Sequence, residues 1–169
     1  MKVAINKNAL ESIVTNSNSY LEKKDLSAIT SHIFIGAKDG ILNIKATDHE
    51  IGLAYKLSNV KIMDEGNATA NGKKLLDIIR SLKDEEITLE TVNNYLYIKQ
   101  KNSKYKLPMY KFEDFPNFPT IENKNKFEVD AVMLGRSLKK IFTSIDNNNP
   151  KFELNGALID IKQNYINIV

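Results

Sequence analysis

The chain has 169 residues, a formal net charge of +3 and no cysteine. That length allows a sizeable core in one domain or a little more, and the lack of thiols excludes disulfides, thiolate metal centres and a cysteine nucleophile. No apolar run approaches a membrane span, and Val3 and Ile5 already read as a strand rather than a secretion signal, so the expected compartment is cytoplasmic.

In chain order, Val3 and Ile5 alternate with Lys2 and Ala4, and Leu10, Ile13 and Val14 follow at helical spacing, with Asn8 the expected cap. A polar break, 16–19, and a basic loop, Lys23-Lys24-Asp25, come next. From Ile29 the period changes to two: Ser31, Ile33 and Ile35 share one face and His32 and Phe34 the other, which predicts a strand covered on both sides. Asp39-Gly40 is a hairpin signal. Leu42, Ile44 and Ala46 form the next alternation, and Leu53, Tyr55 and Leu57 a half-buried one.

Residues 64–67 read as a loop, followed by a brief strand over 67–70. Asn71 is the expected cap of a helix whose Leu75, Ile78, Ile79 and Leu82 make one apolar stripe. Ile87, Leu89 and Thr91 alternate, Asn93-Asn94 turns, and Leu96 and Ile98 oppose Tyr95 and Tyr97. Ser103 to Met109 is a further strand with Tyr105 and Leu107 on one face; Pro108 places it at an edge or at its end. Residues 113–126, with two prolines, read as an inter-domain linker.

Phe127 and Val129 then predict a strand, Asp130 a cap, and Leu134, Leu138, Ile141, Phe142 and Ile145 a helical stripe. Residues 147–150 form a polar loop. A strand is expected from Phe152 through Ile161, and another over Tyr165, Asn167 and Val169. A strand running directly into an amphipathic helix thus recurs three times at about sixty-residue intervals, one unit being reused. The last copy has only two further strands, which predicts a fragment, or a chain whose second sheet a partner completes.

Charge is unevenly spread. Lys73, Lys74 and Arg80 on the second helix face one acid, Asp77; Arg136, Lys139 and Lys140 on the third have acids only at its ends. Two helices with one basic bias point to a shared positive surface. Catalysis has thin support: if extended, Asp48-His49-Glu50 splits its side chains between two faces, and there is no phosphate-binding glycine loop, HExxH or GxSxG. No catalytic residue, metal or cofactor is expected. A rival reading is a β-rich RNA- or protein-binding module that uses the same lysines with Tyr95, Tyr97 and Tyr105.

Five short stretches in order carry a resemblance: Gly36-Ala37-Lys38-Asp39-Gly40, Ala46-Thr47-Asp48-His49-Glu50, Lys73 through Arg80, Asp114-Phe115-Pro116-Asn117 and Phe152-Glu153-Leu154-Asn155-Gly156. Together they resemble the bacterial processivity clamp family, the beta subunit of DNA polymerase III. The resemblance implies an α+β class and a DNA-clamp fold, repeated units of outer antiparallel sheets with amphipathic inner helices. It implies a first clamp domain over 1–120, complete, and a linker and the start of a second over 121–169, truncated.

It further implies a ring-shaped homodimer encircling double-stranded DNA without sequence specificity, with the replicative DNA polymerase and clamp loader as partners and no membrane. By position, Lys24, Lys73, Lys74, Arg80, Arg136, Lys139, Lys140, Asn148 and Asn149 become DNA-binding candidates. The family tends to have arginine near Lys24 and Lys73, and lysine there gives up the bidentate fork. Tyr105 and Leu107 match the dimer edge strand, and Leu154 one wall of a partner-peptide pocket. Most of that pocket would lie beyond Val169, so weak peptide binding is expected.

Overall fold

The computed structural model describes every residue except Lys24, Leu26, Ser27 and 120–126, and the side chain of Phe152. It divides into two compact units, Met1–Pro119 and Thr120–Val169.

In the first unit the strands are β1 (Lys2–Asn6), β2 (His32–Lys38), β3 (Ile41–Thr47), β4 (Gly52–Leu57), β5 (Lys61–Asp64), β6 (Gly66–Asn71), β7 (Glu86–Val92), β8 (Tyr95–Gln100) and β9 (Ser103–Pro108); the helices are α1 (Lys7–Ser17) and α2 (Gly72–Ser81). Two antiparallel sheets result, ordered β5-β1-β7-β8-β9 and β4-β3-β2-β6. The chain makes the same move twice: a strand, a helix, then a three-strand meander. The opening strands are exchanged. β1 pairs with β7 of the second meander, and β6 with β2 of the first. One core joins the halves, with Leu10 and Val14 of α1, Leu75 and Ile79 of α2, Ile33 and Ile35 of β2 and Leu96 and Ile98 of β8 all fully buried.

Each helix begins where its strand stops. The Asn6 side chain accepts the amides of Asn8 (2.9 Å) and Ala9 (3.2 Å), and that of Asn71 accepts the amide of Lys74 (3.1 Å). The first cap is therefore Asn6 rather than Asn8: the capping residue needs extended backbone, and Asn8 already lies in the first turn. The expected break at 16–19 is also displaced. α1 runs through Ser17 and tightens into a 3-10 turn over Asn18–Tyr20, because polar side chains do not end a helix whose apolar face remains covered.

Other differences have local causes. Ile29–Ser31 is a 3-10 turn, so β2 starts at His32. The loop expected at 64–67 is a reversal at Glu65 alone. Lys61–Asp64 before it is β5, on the edge against β1. Its sequence shows little alternation because an edge strand buries only part of one face. The hairpin at Asp39-Gly40 has both residues at positive φ, 50° and 73°, as its two-residue turn needs.

The stretch read as linker begins as a strap across the outer face of the second sheet. The Tyr110 ring sits on His32 at 4.4 Å between centroids, and Phe115 meets Phe34 at 5.5 Å. Lys45 Nζ lies 5.6 Å from the Phe34 ring and 5.3 Å from that of Phe118. The Thr69 hydroxyl donates to the Tyr110 carbonyl (3.0 Å) and accepts its amide (2.8 Å). His32 is buried, with no hydrogen-bond partner for its Nδ1 among the described residues.

In the second unit, α3 (Ala131–Phe142) is capped by Asp130, whose Oδ1 accepts the Met133 amide at 2.7 Å. The strand expected at 127–129 is absent: those residues are irregular and exposed. Phe152–Asn155 is a 3-10 turn rather than a strand, and among the described residues of this unit only β10 (Ile159–Ile161) and β11 (Ile166–Ile168) pair, antiparallel. A short apolar run has no fixed period, and without a neighbouring strand its preference stays local.

Two predictions follow from this packing. A Cβ on Gly72 would lie 2.2 Å from Leu21 Cδ1 and 2.9 Å from Asn18 Oδ1, and buried Leu21 has little room to withdraw. Gly72→Ala is expected to destabilise the chain by about 1–3 kcal/mol in urea unfolding. Burial, then the charge of Lys74, push His32 down to about 4. The unfolded chain therefore binds a proton below the ordinary histidine value while the folded chain does not. Stability should fall by about 2 kcal/mol from pH 7 to pH 5, and His32→Phe should lose that part of the pH dependence.

Candidate nucleic-acid interface

α1 and α2 pack side by side and bury Leu10, Ile13, Val14, Leu75, Leu76 and Ile79 beneath them. What remains outward is polar. On α2 the outward residues are Lys73, Lys74, Asp77, Arg80 and Ser81. Lys73 and Arg80, seven positions apart, share a line on which Asp77 also falls. The first turn of α2 carries no acid. Its exposed amides and its two lysines therefore add to one positive field at the helix start, where anions are favoured. Lys23 and Lys73 border one cleft of about 360 Å³ with Asn18, Leu21, Glu22, Ser31 and Asn71.

The expected residues differ in availability. Lys24 lies outside the described residues. Lys73 and Lys74 are exposed and carry no ion pair among the described residues. Arg80 is exposed but held: its Nε lies 3.5 Å from Glu11 Oε1 on α1, while Lys7 Nζ engages Glu11 Oε2. The Lys7 hydrogen bond, with smaller help from Arg80, pulls the Glu11 carboxyl below its usual range. Glu11 was not singled out in the sequence. The Lys7–Glu11 spacing of four was legible as a helix pair; the link to Arg80, far along the chain, was not.

In the second unit Arg136, Lys139 and Lys140 are exposed and spaced i, i+3, i+4, so they share one face of α3. Lys139 and Lys140 fall in its last turn, where the helix dipole favours cations. Asn148 is exposed. Asn149 is committed within its own loop. Its Nδ2 donates to Asp146 Oδ2 (2.9 Å), its Oδ1 accepts the Lys151 amide (2.9 Å), and its amide donates to Asn155 Oδ1 (3.0 Å).

β9 is the outer strand of its sheet, with one row of backbone groups unpaired. Tyr105 is exposed, whereas Leu107 is 6 % exposed and belongs to the core of its own unit. Leu154 is 51 % exposed on the 3-10 turn. On the outer sheet face, Lys104 and Lys106 lie over the rings of Tyr97 (4.6 Å) and Tyr95 (4.9 Å).

Asp48-His49-Glu50 is a tight turn, not an extended run. His49 has φ 77°, and Asp48 Oδ1 accepts the amides of Ile51 (2.9 Å) and Glu50 (3.1 Å). These bonds, the Ile51 one foremost, lower the Asp48 carboxyl. The carboxylate shapes the β3–β4 connection. Among the described residues no group of three or more acidic or histidine side chains is placed to hold a metal.

The family model described as DNA polymerase III beta subunit, N-terminal domain, matches residues 1–119. The chain belongs to the DNA polymerase III beta subunit family. It is 42 % identical over 165 residues to the beta sliding clamp of Helicobacter pylori strain J99, covering 98 % of this chain and 44 % of that protein. A crystal structure of the Helicobacter pylori beta clamp bound to a DNA ligase peptide matches with TM-score 0.88 and 43 % identity, over 94 % of this chain and 44 % of that one. The Pseudomonas aeruginosa DNA polymerase III subunit beta matches with TM-score 0.92 at 21 % identity, over 98 % of this chain and 45 % of that one; this last likeness is one of fold. The chain spans less than half the length of these relatives. No helix among the described residues is long and apolar enough to cross a membrane.

The loop bonding yields one prediction. Asn149→Ala should remove the acceptor of the Lys151 amide and speed its hydrogen exchange about fivefold, a loss on the order of 1 kcal/mol. NMR-detected exchange of this amide, against an unchanged Met133 amide at the α3 cap, checks it.

Proposed function

We propose that this chain is the front part of a beta sliding clamp, a cytoplasmic, non-catalytic processivity factor of the replicative DNA polymerase. Residues 1–120 form its first domain and 121–169 the linker and start of its second. The full-length protein closes as a homodimeric ring around duplex DNA. It tethers the polymerase, is placed by a clamp loader, and slides because its contacts go to phosphates rather than base edges.

The observation that carries this reading is the pair α1/α2: a helix layer whose buried side is apolar and whose outward side presents the exposed Lys73 and Lys74. Family membership across the first unit supports it. Arg136, Lys139 and Lys140 are the phosphate-binding candidates of the second domain, with Lys24 and Asn148 as further contacts. Asn149 acts mainly by shaping its loop. β9 serves ring closure through its open backbone edge and Tyr105, with Leu107 supporting that edge from within. Leu154 is one wall of a partner-peptide pocket of the kind that the ligase-peptide complex of the Helicobacter pylori clamp illustrates. The many exposed apolar side chains of the second unit, including Val132, Met133, Phe142 and Leu158, support a longer native chain that covers them. The alternative RNA-binding module needs free aromatic faces. Lys104 and Lys106 already lie over two of the three tyrosines it would use, Tyr97 and Tyr95.

The test is topological. Full-length protein loaded by its clamp loader should stay on closed circular DNA through gel filtration and be lost when the circle is cut. Tight holding of linear single strands without trapping on circles would overturn the clamp reading. Changing Lys73, Lys74 and Arg80 together to Ala should weaken duplex binding and flatten its log–log salt dependence by about 2–3, near 0.9 for each phosphate that is no longer neutralised. Circular dichroism should show an unchanged fold.

A further inference from the structure

We infer that Glu11 is an affinity-limiting residue of the DNA-facing helix pair: it occupies Arg80, and Lys7 with it, so that a phosphate must displace a carboxylate to reach them. The inference rests on the DNA reading above and deepens it.

The two halves of the first unit share a frame that shows what is unusual. With the capping residues Asn6 and Asn71 set as equivalent, Leu10 falls on Leu75, Ile13 on Ile78 and Val14 on Ile79. The basic positions of α2 then fall on uncharged ones in α1: Lys73 on Asn8, Lys74 on Ala9, Arg80 on Thr15. Glu11 falls on Leu76, which is buried. The α1 carboxylate thus stands where its counterpart is covered, and reaches across to the other helix. Its side chain is 27 % exposed, that of Lys7 only 13 %, and that of Arg80 53 %. Glu11, Arg80, Asn8, Ser12, Thr15 and Asn16 line one open groove.

The consequence is electrostatic. α1 offers a duplex hydroxyls and amides but no unpaired cation, because its only lysine, Lys7, is paired with Glu11. Arg80 is α2's only arginine, the residue type best suited to a phosphate, and it is shared with a carboxylate. A surface pair of this kind is weak and screened by salt, so Glu11 lowers affinity without abolishing it. That suits a surface that must hold a polyanion and still move along it.

The test is binding of the chain to a fluorescein-labelled linear duplex at low ionic strength, by anisotropy across a salt series. Glu11→Gln keeps the shape and removes the charge. It is expected to tighten binding about two- to fivefold, the scale of one surface ion pair, and to steepen the log–log salt slope by about one phosphate's worth. Arg80→Ala should weaken binding more in the Glu11→Gln background than in the native one, and so cancel the gain in Glu11→Gln. If Glu11→Gln lowers the melting temperature but leaves affinity and slope unchanged, Glu11 is only a tie between helices and the inference is wrong. If helix content is lost, Glu11→Asp, which keeps the charge but is too short to span both cations, should still tighten binding by releasing Arg80; unchanged affinity there overturns the inference. Lys73→Ala with Lys74→Ala separates the two levels. Unweakened binding in that variant overturns the DNA reading and the inference with it, whereas weakened binding beside an inert Glu11→Gln overturns the inference alone.

Discussion

The rest of the structure depends on a strand becoming a helix at a single residue. Asn6 is the last residue of β1 and the cap of α1; Asn71 is the last residue of β6 and the cap of α2. Extended backbone lets each close its ladder while its side-chain oxygen takes the first free amides of the helix. With no linker, the sheet sets the direction of the helix. Exchange of the opening strands then ties each helix to the meander of the other half, so neither half has a complete sheet of its own.

This arrangement concentrates packing demands at the start of α2. Gly72 lies against Leu21, Asn18 and Ile33, and Asn18 donates to the Gly72 carbonyl at 3.3 Å. Two helices brought so close bury one face each and leave one outward surface. Whether that surface attracts or repels a polyanion is then a matter of which side chains occupy it. α2 supplies cations at the positive end of its own dipole, while α1 supplies neutral groups and one carboxylate. The connector that leaves β9 continues the first unit rather than departing from it, because Tyr110, Phe115 and Phe118 lie against His32, Phe34 and Lys45 on the back of the second sheet.

Much of this was legible locally. Two helices of the first unit, eight of its nine strands and the Asn71 and Asp130 caps follow from period, residue type and capping chemistry. Asp39-Gly40 announced its turn by residue type alone. The first cap was displaced by two residues because both Asn6 and Asn8 have the right side chain and only backbone conformation chooses between them. The strand expected before α3 failed for a related reason: Phe127 and Val129 have the pattern of a strand but no paired neighbour, whereas Val3 and Ile5 have β5 and β7.

The sequence by itself determined most elements of the first unit, its repeated strand-helix move and the basic bias of the second and third helices, since each depends on residues within one or two turns of one another. Tertiary structure alone decided the exchange of β1 and β6, the edge strand β5, the strap over His32 and Phe34, and the hold of Glu11 on Arg80. All of these are contacts between segments far apart in the chain, and which distant partners meet is set by how the shared core closes, not by any local pattern.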